Sequence, residues 1–456
     1  MGGSGLLLVA DNKDAFAVRV LMAREARQNL DLMYYIWRAD RTGKLLAHEV
    51  FKAADRGVKV RMLLDDINPS NSDADHRALN NHPNIELRLF NPSKARHGSY
   101  WRFIELIANR LRLTRRMHNK AWIADGRLAL IGGRNVADEY FDAAETNFRD
   151  LDVLLQGDAA TQTQMIFDAF WNCGGAKPLS KTDPLPMGKV VKWLRPDRRE
   201  MANERVRLLR ERADSLVSVD GLIKERGGMK TTEMARVVSD PPEKALGKLR
   251  KNWLMAELLP AVRSARERLD MVSPYFIPGK RGVALLNDLV ERGVRTTVLT
   301  NSLAATDVAA VHGAYANYRR ALLKCGVHLH ELQPFARRKR ISVFGSKGAS
   351  LHAKAFTVDG NAGFIGSFNF DPRSASLNTE MGVLFEDSRL ADEMQALFRQ
   401  DIAPDTSYHL SLEQGRIHWR GDDDGALRDY KHEPEASLGR RAIALLVRYL
   451  PIESQL

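Results

Sequence analysis

Two histidines, each followed two residues later by a lysine, open two short stretches of similar sequence. The first reads M-H-N-K-A-W-I-A-D-G from Met117, and the second reads L-H-A-K-A-F-T-V-D-G from Leu351. With the aspartate seven residues after each histidine, the two sets are His118, Lys120, Asp125 and His352, Lys354, Asp359. An imidazole can attack phosphorus or carry a proton, and an ammonium group can neutralise an anion. These residue types predict chemistry on a phosphodiester, whose charge repels anionic nucleophiles and whose alkoxide leaves poorly.

The matching offsets continue beyond the aspartates. An asparagine follows each histidine by seventeen residues (135 − 118 and 369 − 352), at Asn135 and Asn369. Gly133 and Ser367 lie two residues before them, and small residues let the backbone and an amide approach an anion closely. We expect these four residues to bind a phosphate group. A single His-x-Lys carries little information, but two copies that agree at every offset indicate a functional site.

Strand geometry explains the spacing of the two motifs. Residues two apart in a strand lie on one face, so each histidine and its lysine are expected to point the same way. Asp125-Gly126 and Asp359-Gly360 are typical of hairpin turns, with short return strands at 128–131 and 363–365. An aspartate that opens a turn also accepts hydrogen bonds from nearby backbone, so a structural role for Asp125 and Asp359 stays open beside a catalytic one.

Strands and helices are predicted in the same order in both parts of the chain. The expected strands are 30–37, 58–64, 85–90, 151–155, 269–277, 294–299 and 327–332, and the expected helices are 15–29, 43–56, 161–171 and 282–292. Corresponding points are 236 residues apart at Gly57 and Gly293 and 234 apart at the histidines. We therefore predict an α/β protein of two pseudo-symmetric halves. Each half is a mixed β-sheet flanked by helices, and one active site is shared between them.

The predicted boundaries give four parts. Residues 1–174 form the first half and 253–402 the second. Residues 175–252 are interpreted as a basic linker with helical excursions and no chemical role, and 403–456 as a tail with an amphipathic helix.

The two motifs resemble the signature of the phospholipase D superfamily, and further segments resemble bacterial cardiolipin synthases of the C type. Those segments are L-D-L-M-Y-Y-I-W-R-A-D from Leu30, I-G-G-R-N, L-T-N-S-L-A-A-T-D-V from Leu299, and I-G-S-F-N-F-D-P-R-S with L-N-T-E-M-G. The resemblance implies that His118 is the nucleophile and His352 the general acid and base, an order that sequence symmetry alone cannot prove. It also implies that Asp150 and Glu380 orient the histidines by accepting a ring N–H.

The activity implied by the resemblance is phosphatidyl transfer through a phosphohistidine to phosphatidylglycerol, giving cardiolipin. The donor would be phosphatidylethanolamine or a second phosphatidylglycerol. Water as the acceptor would make the protein a phospholipase D. A nuclease of the same superfamily would also suit the net charge of +12 and pI near 9.6, although apolar basic segments make nucleic acid the less favoured partner. A catalytically silent membrane-binding protein is a further alternative, which two intact motifs disfavour.

Membrane contact is expected to be peripheral, on the cytoplasmic face of a bacterial inner membrane. The start of the chain is a poor signal peptide, no run approaches the eighteen or so apolar residues of a spanning helix, and two cysteines fit a reducing compartment. Apolar and basic residues in 91–117 and in 433–456 suit helices lying on an anionic bilayer, or packing on the protein itself.

No metal or other cofactor is expected, because the lysines supply positive charge and metal-ligand spacing is absent near the motifs. Asp65-Asp66 is the one acidic pair that could belong to a ligand site, because it follows a predicted strand, and it equally suits a helix cap or a turn.

Overall fold

The fold is described from a computed structural model. It covers residues 3–67, 76–92, 115–179, 202–247, 253–334, 349–423 and 425–449. Most of the predicted interfacial segment at 91–117 lies outside these residues.

The first half alternates strands and helices. Its strands are β1 (Ser4–Val9), β2 (Asn29–Tyr34), β3 (Lys59–Asp65), β4 (Ile85–Phe90), β5 (Ala121–Ala124), β6 (Leu128–Gly132), β7 (Asn147–Arg149), β8 (Asp152–Gly157) and β9 (Ala176–Pro178). Its helices are α1 (Asn12–Glu25), α2 (Arg41–Asp55) and α3 (Asp158–Trp171). The oxygen of Asp11 accepts from the backbone N–H groups of Lys13 and Asp14, and this N-cap starts α1 three residues earlier than predicted.

The middle segment contains regular structure. It holds α4 (Glu204–Ser215), α5 (Val219–Glu225), β10 (Lys230–Thr232), β11 (Ala235–Ser239) and α6 (Pro242–Ala245). Strand β10 pairs with β1 of the first half, although β11 pairs with β18 (Met381–Glu386) of the second half. The interpretation of 175–252 as a solvated linker is therefore wrong for these strands, which extend the sheets of both halves. The sequence did not predict β10 and β11 because these short strands contain few apolar residues.

The second half repeats the first. It contains α7 (Leu254–Arg263), β12 (Arg268–Val272), α8 (Gly279–Glu291), β13 (Arg295–Asn301), α9 (Ala309–Lys324), β14 (His328–Leu332), β15 (Ala349–Leu351), β16 (Ala355–Val358), β17 (Ala362–Gly366), α10 (Pro372–Ser376), β18 and α11 (Ser388–Asp401). The C-terminal part adds β19 (Ser407–Glu413), β20 (Arg416–Asp423), β21 (Ala426–Tyr430) and α12 (Leu438–Arg448). The predicted helix in this part is confirmed, whereas the three strands were not predicted.

Strand order shows the duplication directly. The first sheet runs β10-β1-β8-β6-β5-β2-β3-β4-β9, and the second runs β11-β18-β17-β16-β12-β13-β14-β19-β20-β21. In each, three parallel strands (β2-β3-β4 and β12-β13-β14) adjoin an antiparallel hairpin that follows a His-x-Lys motif. The predicted α/β fold of two similar halves with mixed sheets is confirmed.

The two halves share structure where they meet. Strand β7, which directly precedes Asp150, pairs in parallel with β15, which directly precedes His352. This pairing joins the two halves beside the second motif. One buried apolar cluster contains Ile131 and Val153 together with Ile365 and Val383. No helix within the described ranges has the length and apolar character needed to cross a membrane.

Two predicted strands end early. Strand β2 stops at Tyr34 and β12 at Val272, several residues before the predicted ends at 37 and 277. Beyond these points the chain leaves the sheet and makes single bridges, Trp37 to Val136 and Phe276 to Phe370. Of the residues that suggested a longer strand, Tyr35 contacts the His118 ring, whereas Trp37 and Phe276 pack in the apolar cores of their own halves.

Candidate active site

Each His-x-Lys pair lies in an extended segment just before a hairpin strand, not within the strand as predicted. His118 and Lys120 precede β5, and His352 and Lys354 precede β16. The Lys120 ammonium donates to the carbonyl oxygen of His118 at 2.6 Å, and the Lys354 ammonium donates to that of His352 at 2.5 Å. In both halves the lysine therefore folds back beside its own histidine.

Backbone hydrogen bonds tie each motif to the opposite half. The amide of His118 donates to the carbonyl of Thr379 at 2.9 Å, and the amide of His352 donates to the carbonyl of Arg149 at 2.7 Å. Thr379 and Arg149 directly precede Glu380 and Asp150. Each histidine is thus held beside a carboxylate that belongs to the other half.

The carboxylates contact the imidazoles as predicted, and in a crossed pattern. Nδ1 of His118 lies 2.8 Å from Oε2 of Glu380, and Nδ1 of His352 lies 2.6 Å from Oδ2 of Asp150. An ionised carboxylate only accepts, so Nδ1 of His352 donates to Asp150, and Nδ1 of His118 donates to Glu380 when that carboxyl group is ionised. Nε2 of each ring is left as the nitrogen that can react. The ammonium of Lys354 is also 3.1 Å from Nδ1 of His352, but that N–H is already committed to Asp150.

Gly133 and Ser367 support the carboxylates, and phosphate binding by these two residues stays a prediction. A Cβ at Gly133 would lie 2.1 Å from Oδ1 of Asp150, so only glycine leaves room for this carboxylate. The Ser367 hydroxyl donates to Oε2 of Glu380 and accepts from the amide of Met381 at 3.1 Å. Ser374 donates to the other oxygen of Glu380 at 2.8 Å.

The two asparagines differ in their surroundings. Asn135 accepts from the amide of Ile36 at 3.2 Å and donates to the Tyr140 hydroxyl at 2.8 Å, and that hydroxyl lies 3.5 Å from Nε2 of His352. Oδ1 of the buried Asn369 has no hydrogen-bond partner among the residues that the structure describes. Asn135 is thus linked through Tyr140 to the His352 ring, and a phosphate contact remains a prediction for both asparagines.

The motif aspartates are structural, so the catalytic assignment of Asp125 and Asp359 is wrong. Each lies after the hairpin strand, about 16 Å along the chain from the lysine, and has a positive φ of 53° or 50°. The carboxylate of Asp125 accepts from the amides of Arg27, Gln28 and Asn29. Asp359 accepts in the same way from residues 266–268. Each aspartate fixes the start of the neighbouring strand.

Burial and positive charge keep the free imidazoles neutral. Burial lowers the pKa of His118 well below its ordinary value, and Lys120 and Lys354 lower it further. Burial and Lys354 also lower the pKa of His352, but Asp150 and Asp307 oppose this shift. The influence of Lys354 and His352 on His118 indicates that both halves act at one place.

The pKa values of the two lysines and the two carboxylates are shifted as well. Burial lowers the pKa of Lys120 well below its ordinary value and that of Lys354 to about 8. Burial raises the pKa of Glu380 to about 7. Burial acts in the same direction on Asp150, yet His352 and Lys354 outweigh it and the pKa of Asp150 is lowered. His352 therefore faces a full negative charge, whereas His118 faces a carboxyl group that near pH 7 is divided between its ionised and protonated forms.

Three aromatic residues that the sequence argument missed enclose the imidazoles. The Tyr35 ring meets the His118 ring edge-on at 4.8 Å between centroids, and Tyr140 meets His352 edge-on at 5.1 Å. Phe148 lies 5.0 Å from His352 on another side. Tyr35 lies within the segment from Leu30 quoted above, and Phe148 lies two residues before Asp150, but no spacing rule marks either as a neighbour of a histidine.

Further buried polar residues hold the site in place. Asp65 accepts from the amide of Met117 at 2.8 Å, and in the other half Asn301 accepts from the amide of Leu351 at 2.9 Å. Asp65, one residue of the acidic pair noted in the sequence, therefore positions the first motif through the backbone of Met117. In the middle segment, Asp240 accepts from the amide of Glu380 at 3.0 Å and pairs with buried Lys244 at 2.8 Å.

Two groups of histidine and carboxylates among the described residues have ligand atoms close enough for a metal ion. One is His312, Glu331 and Glu433, and the other is Glu413, His418 and Asp429. Neither contains a residue of the two motifs. In the first group Arg319 forms ion pairs with both glutamates, which already neutralises them.

Comparison with known proteins agrees with this geometry. The family described as "Cardiolipin synthase, PLD-like domain" matches residues 21–171 and 258–402. The chain belongs to this family of phospholipase D-like cardiolipin synthases. It is 40% identical over 470 residues to cardiolipin synthase C of Escherichia coli, a match that covers 99% of this chain and 96% of that protein.

More distant relatives show the same family and fold. Cardiolipin synthase 2 of Staphylococcus epidermidis is 24% identical over 399 residues, covering 87% of this chain and 68% of that protein. The crystal structure of phosphatidylserine synthase from Haemophilus influenzae superposes with a TM-score of 0.63 and 14% identity. It covers 99% of this chain and 95% of that one, and at this identity the likeness concerns the fold.

Proposed function

We propose that this protein transfers a phosphatidyl group between phospholipids, as a cardiolipin synthase, through a phosphohistidine on His118. One observation carries the proposal. Each imidazole is held through Nδ1 by a buried carboxylate of the opposite half, which leaves two Nε2 atoms and two buried ammonium groups at a common site.

In the first step Nε2 of His118 attacks the phosphorus of the donor lipid. The bond from phosphorus to the headgroup oxygen breaks, and protonated His352 gives its proton to that oxygen as the alcohol departs. Lys120, Lys354, Asn135 and Asn369 would bind the phosphate oxygens and neutralise the charge that develops on them.

The electrostatics favour this division of roles. A nucleophilic imidazole must be neutral, and His118 has its pKa lowered well below the ordinary value. A general acid must be able to hold a proton, and the ionised Asp150 beside His352 stabilises an imidazolium. In the free protein the pKa of His352 is still lowered, so the negative charge of a bound phosphodiester would supply the remaining stabilisation of that imidazolium.

In the second step a hydroxyl of phosphatidylglycerol takes the place of the departed alcohol. His352 accepts its proton, the oxygen attacks phosphorus, and the bond from phosphorus to Nε2 of His118 breaks. Cardiolipin and free His118 result. The donor would be phosphatidylglycerol or phosphatidylethanolamine, and with water in place of the second lipid the product would be phosphatidic acid.

A peripheral position on an anionic membrane suits the surface of the C-terminal helix. Leu438, Leu445, Leu446 and Tyr449 are 82%, 57%, 64% and 78% exposed, although Val447 on the same helix is buried. Arg441 and Arg448 flank this apolar surface on α12. An apolar helical face beside arginines matches the boundary between headgroups and acyl chains of an anionic bilayer.

Lipid analysis tests the proposal. Purified protein is incubated with phosphatidylglycerol alone or mixed with phosphatidylethanolamine, and the products are separated by mass spectrometry. Cardiolipin as the main product, absent with His118→Ala, supports the proposal. Phosphatidic acid alone would identify a hydrolase, and cleavage of DNA without any lipid product would identify a nuclease.

A further inference from the structure

The second half contains an apolar cavity of about 470 Å³. Helices α7 and α8 and the turn after Asn369 form its walls, with Leu258, Leu285, Phe276, Phe370 and Ala375 among the lining residues. A volume of roughly 300–1,000 Å³ is typical of ligand pockets. The function proposed above gives this cavity no role.

The cavity begins one residue beyond Asn369, which is one of the residues proposed to bind the phosphate. Phe370 lines it and directly follows Asn369. The Phe370 amide donates to the Ser273 hydroxyl at 3.1 Å, and the Phe370 carbonyl accepts from the amide of Ile277 at 2.8 Å. These bonds fix the turn, so one peptide bond joins Asn369 to a residue of the apolar wall.

Charge at the mouth favours an anionic amphiphile. Arg263 and Arg281 line the cavity and are exposed to solvent. Asp371, the carboxyl group of the lining, has its pKa raised to about 7 by burial. The opening therefore carries net positive charge around an apolar interior, which is the arrangement that a phosphate joined to a hydrocarbon chain requires.

The volume of the cavity indicates how many carbon atoms a bound hydrocarbon chain would have. A protein cavity of about 150 Å³ holds one benzene molecule of six carbons. By that measure 470 Å³ holds about three times as many carbons, on the order of eighteen. This is the length of a long acyl chain.

We propose that this cavity, which we call the α7–α8 cavity, binds one acyl chain of the phospholipid whose phosphate reacts at His118. The inference rests on the proposed function and adds a tail-binding site to it. The chain enters between α7 and α8, and Arg263 and Arg281 remain near the phosphate and glycerol oxygens at the mouth. Burial of the chain then draws a single lipid partly out of the bilayer and holds its phosphorus against the two imidazoles.

Matched tryptophan substitutions on one helix test the proposal. Leu285→Trp fills the α7–α8 cavity, and Ala284→Trp adds the same side chain at the exposed neighbour outside the lining. Met255→Trp and Ala256→Trp form a second matched pair on α7. Thermal unfolding confirms that each variant folds, and two pairs keep the test valid if one variant does not.

The probe is phosphatidylglycerol with one fluorescent polyene acyl chain, offered in detergent below its micellar concentration. We expect the intact protein, His118→Ala and both exposed-site controls to bind it alike, and the two cavity variants to bind it at least tenfold more weakly. Equal binding by the cavity variants and their controls would overturn the acyl-chain assignment. Unchanged lipid binding with an altered oligomeric state in the cavity variants would also overturn it, and assign the cavity to contact between copies of the chain.

A turnover assay separates this proposal from the function on which it rests. The cavity variants should lose at least tenfold in kcat/KM with dioleoyl phosphatidylglycerol and keep nearly all of it with the dihexanoyl form. An equal loss with both lipids would contradict the tail-binding role. Probe binding without any lipid turnover by the intact protein would leave the cavity assigned and would refute the proposed transfer reaction.

Discussion

Asp150 of the first half accepts a hydrogen bond from Nδ1 of His352 of the second half at 2.6 Å. Because the pseudo-symmetric contact joins His118 to Glu380 at 2.8 Å, neither half contains a histidine together with its own carboxylate. The site therefore exists only where the halves meet, and the strand pairing that joins them is part of the catalytic arrangement. Three consequences concern the carboxylates and the motif aspartates.

Gly133→Ala should disable the site through Asp150. The new Cβ would lie 2.1 Å from Oδ1 of Asp150, so the carboxylate must move away from His352. We expect a loss of at least tenfold in kcat and of about 1–3 kcal/mol in the free energy of unfolding. Gly174→Ala is the control, since nothing lies within 4 Å of a Cβ there. Equal kinetics of the two variants would show that Asp150 is not needed in this position.

Glu380→Gln should change how stability depends on pH. Burial raises the folded pKa of Glu380 from 4.5 to about 7, so between these values the folded protein binds a proton that the unfolded chain releases. The free energy of unfolding therefore falls as pH rises through this window, by about 3 kcal/mol for the full shift. Glutamine lacks this titration, so the difference between wild type and variant should change by that amount between pH 4.5 and 7 in urea unfolding. Parallel profiles would contradict the burial of an ionisable Glu380.

Asp359→Ala should affect stability and leave the chemistry intact. The carboxylate accepts three backbone N–H groups at residues 266–268, so its loss should cost about 1.5–3 kcal/mol. Asp359→Asn keeps an acceptor and tolerates the positive φ, and should lose less. The measurement is thermal unfolding together with kcat at a temperature where both variants are folded. A loss of kcat comparable to that of His352→Ala would restore a catalytic role.

The sequence predicted the chemistry of the site better than its surroundings. Matching offsets identified both histidines and both lysines, because a duplicated site repeats its reacting groups at the same spacing, whereas Asp150 and Glu380 were identified through the family resemblance. The same offsets also selected Asp125 and Asp359, Gly133 and Ser367. A repeated structural requirement, such as a hairpin turn or space beside a carboxylate, produces the same matching offsets in the sequence as a repeated catalytic group.

Features that depend on contacts between distant segments could not be predicted. The crossed pairing of His352 with Asp150 depends on β7 meeting β15, and nothing local to either strand specifies its partner. Lys244 and Asp240 lie in a segment of weak periodicity, yet both are buried and hydrogen-bonded near Glu380. The α7–α8 cavity is likewise a product of packing, since its apolar residues have ordinary helical spacing.

The C-terminal helix provides a test of membrane contact. Replacing Leu445 and Leu446 with serine removes apolar side chains that are 57% and 64% exposed, so folding should be little affected. We expect at least tenfold weaker binding to vesicles of phosphatidylglycerol and phosphatidylcholine in a sedimentation assay, because each leucine contributes about 1.5–3 kcal/mol when buried. Replacing exposed Asp392 and Gln400 on α11 with serine serves as a control. Unchanged vesicle binding by the leucine variant would remove α12 from the membrane contact.

The covalent step is tested most directly by trapping the intermediate with a phosphatidyl ester of p-nitrophenol, whose leaving group needs no proton. The His352→Ala protein is mixed with this donor, quenched at alkaline pH where a phosphohistidine persists, digested and analysed by mass spectrometry. The account predicts a phosphatidyl adduct on His118 in this variant and no adduct in His118→Ala. An adduct on His352 in the His118→Ala protein, with none on His118 in the other variant, would contradict the assignment of the nucleophile.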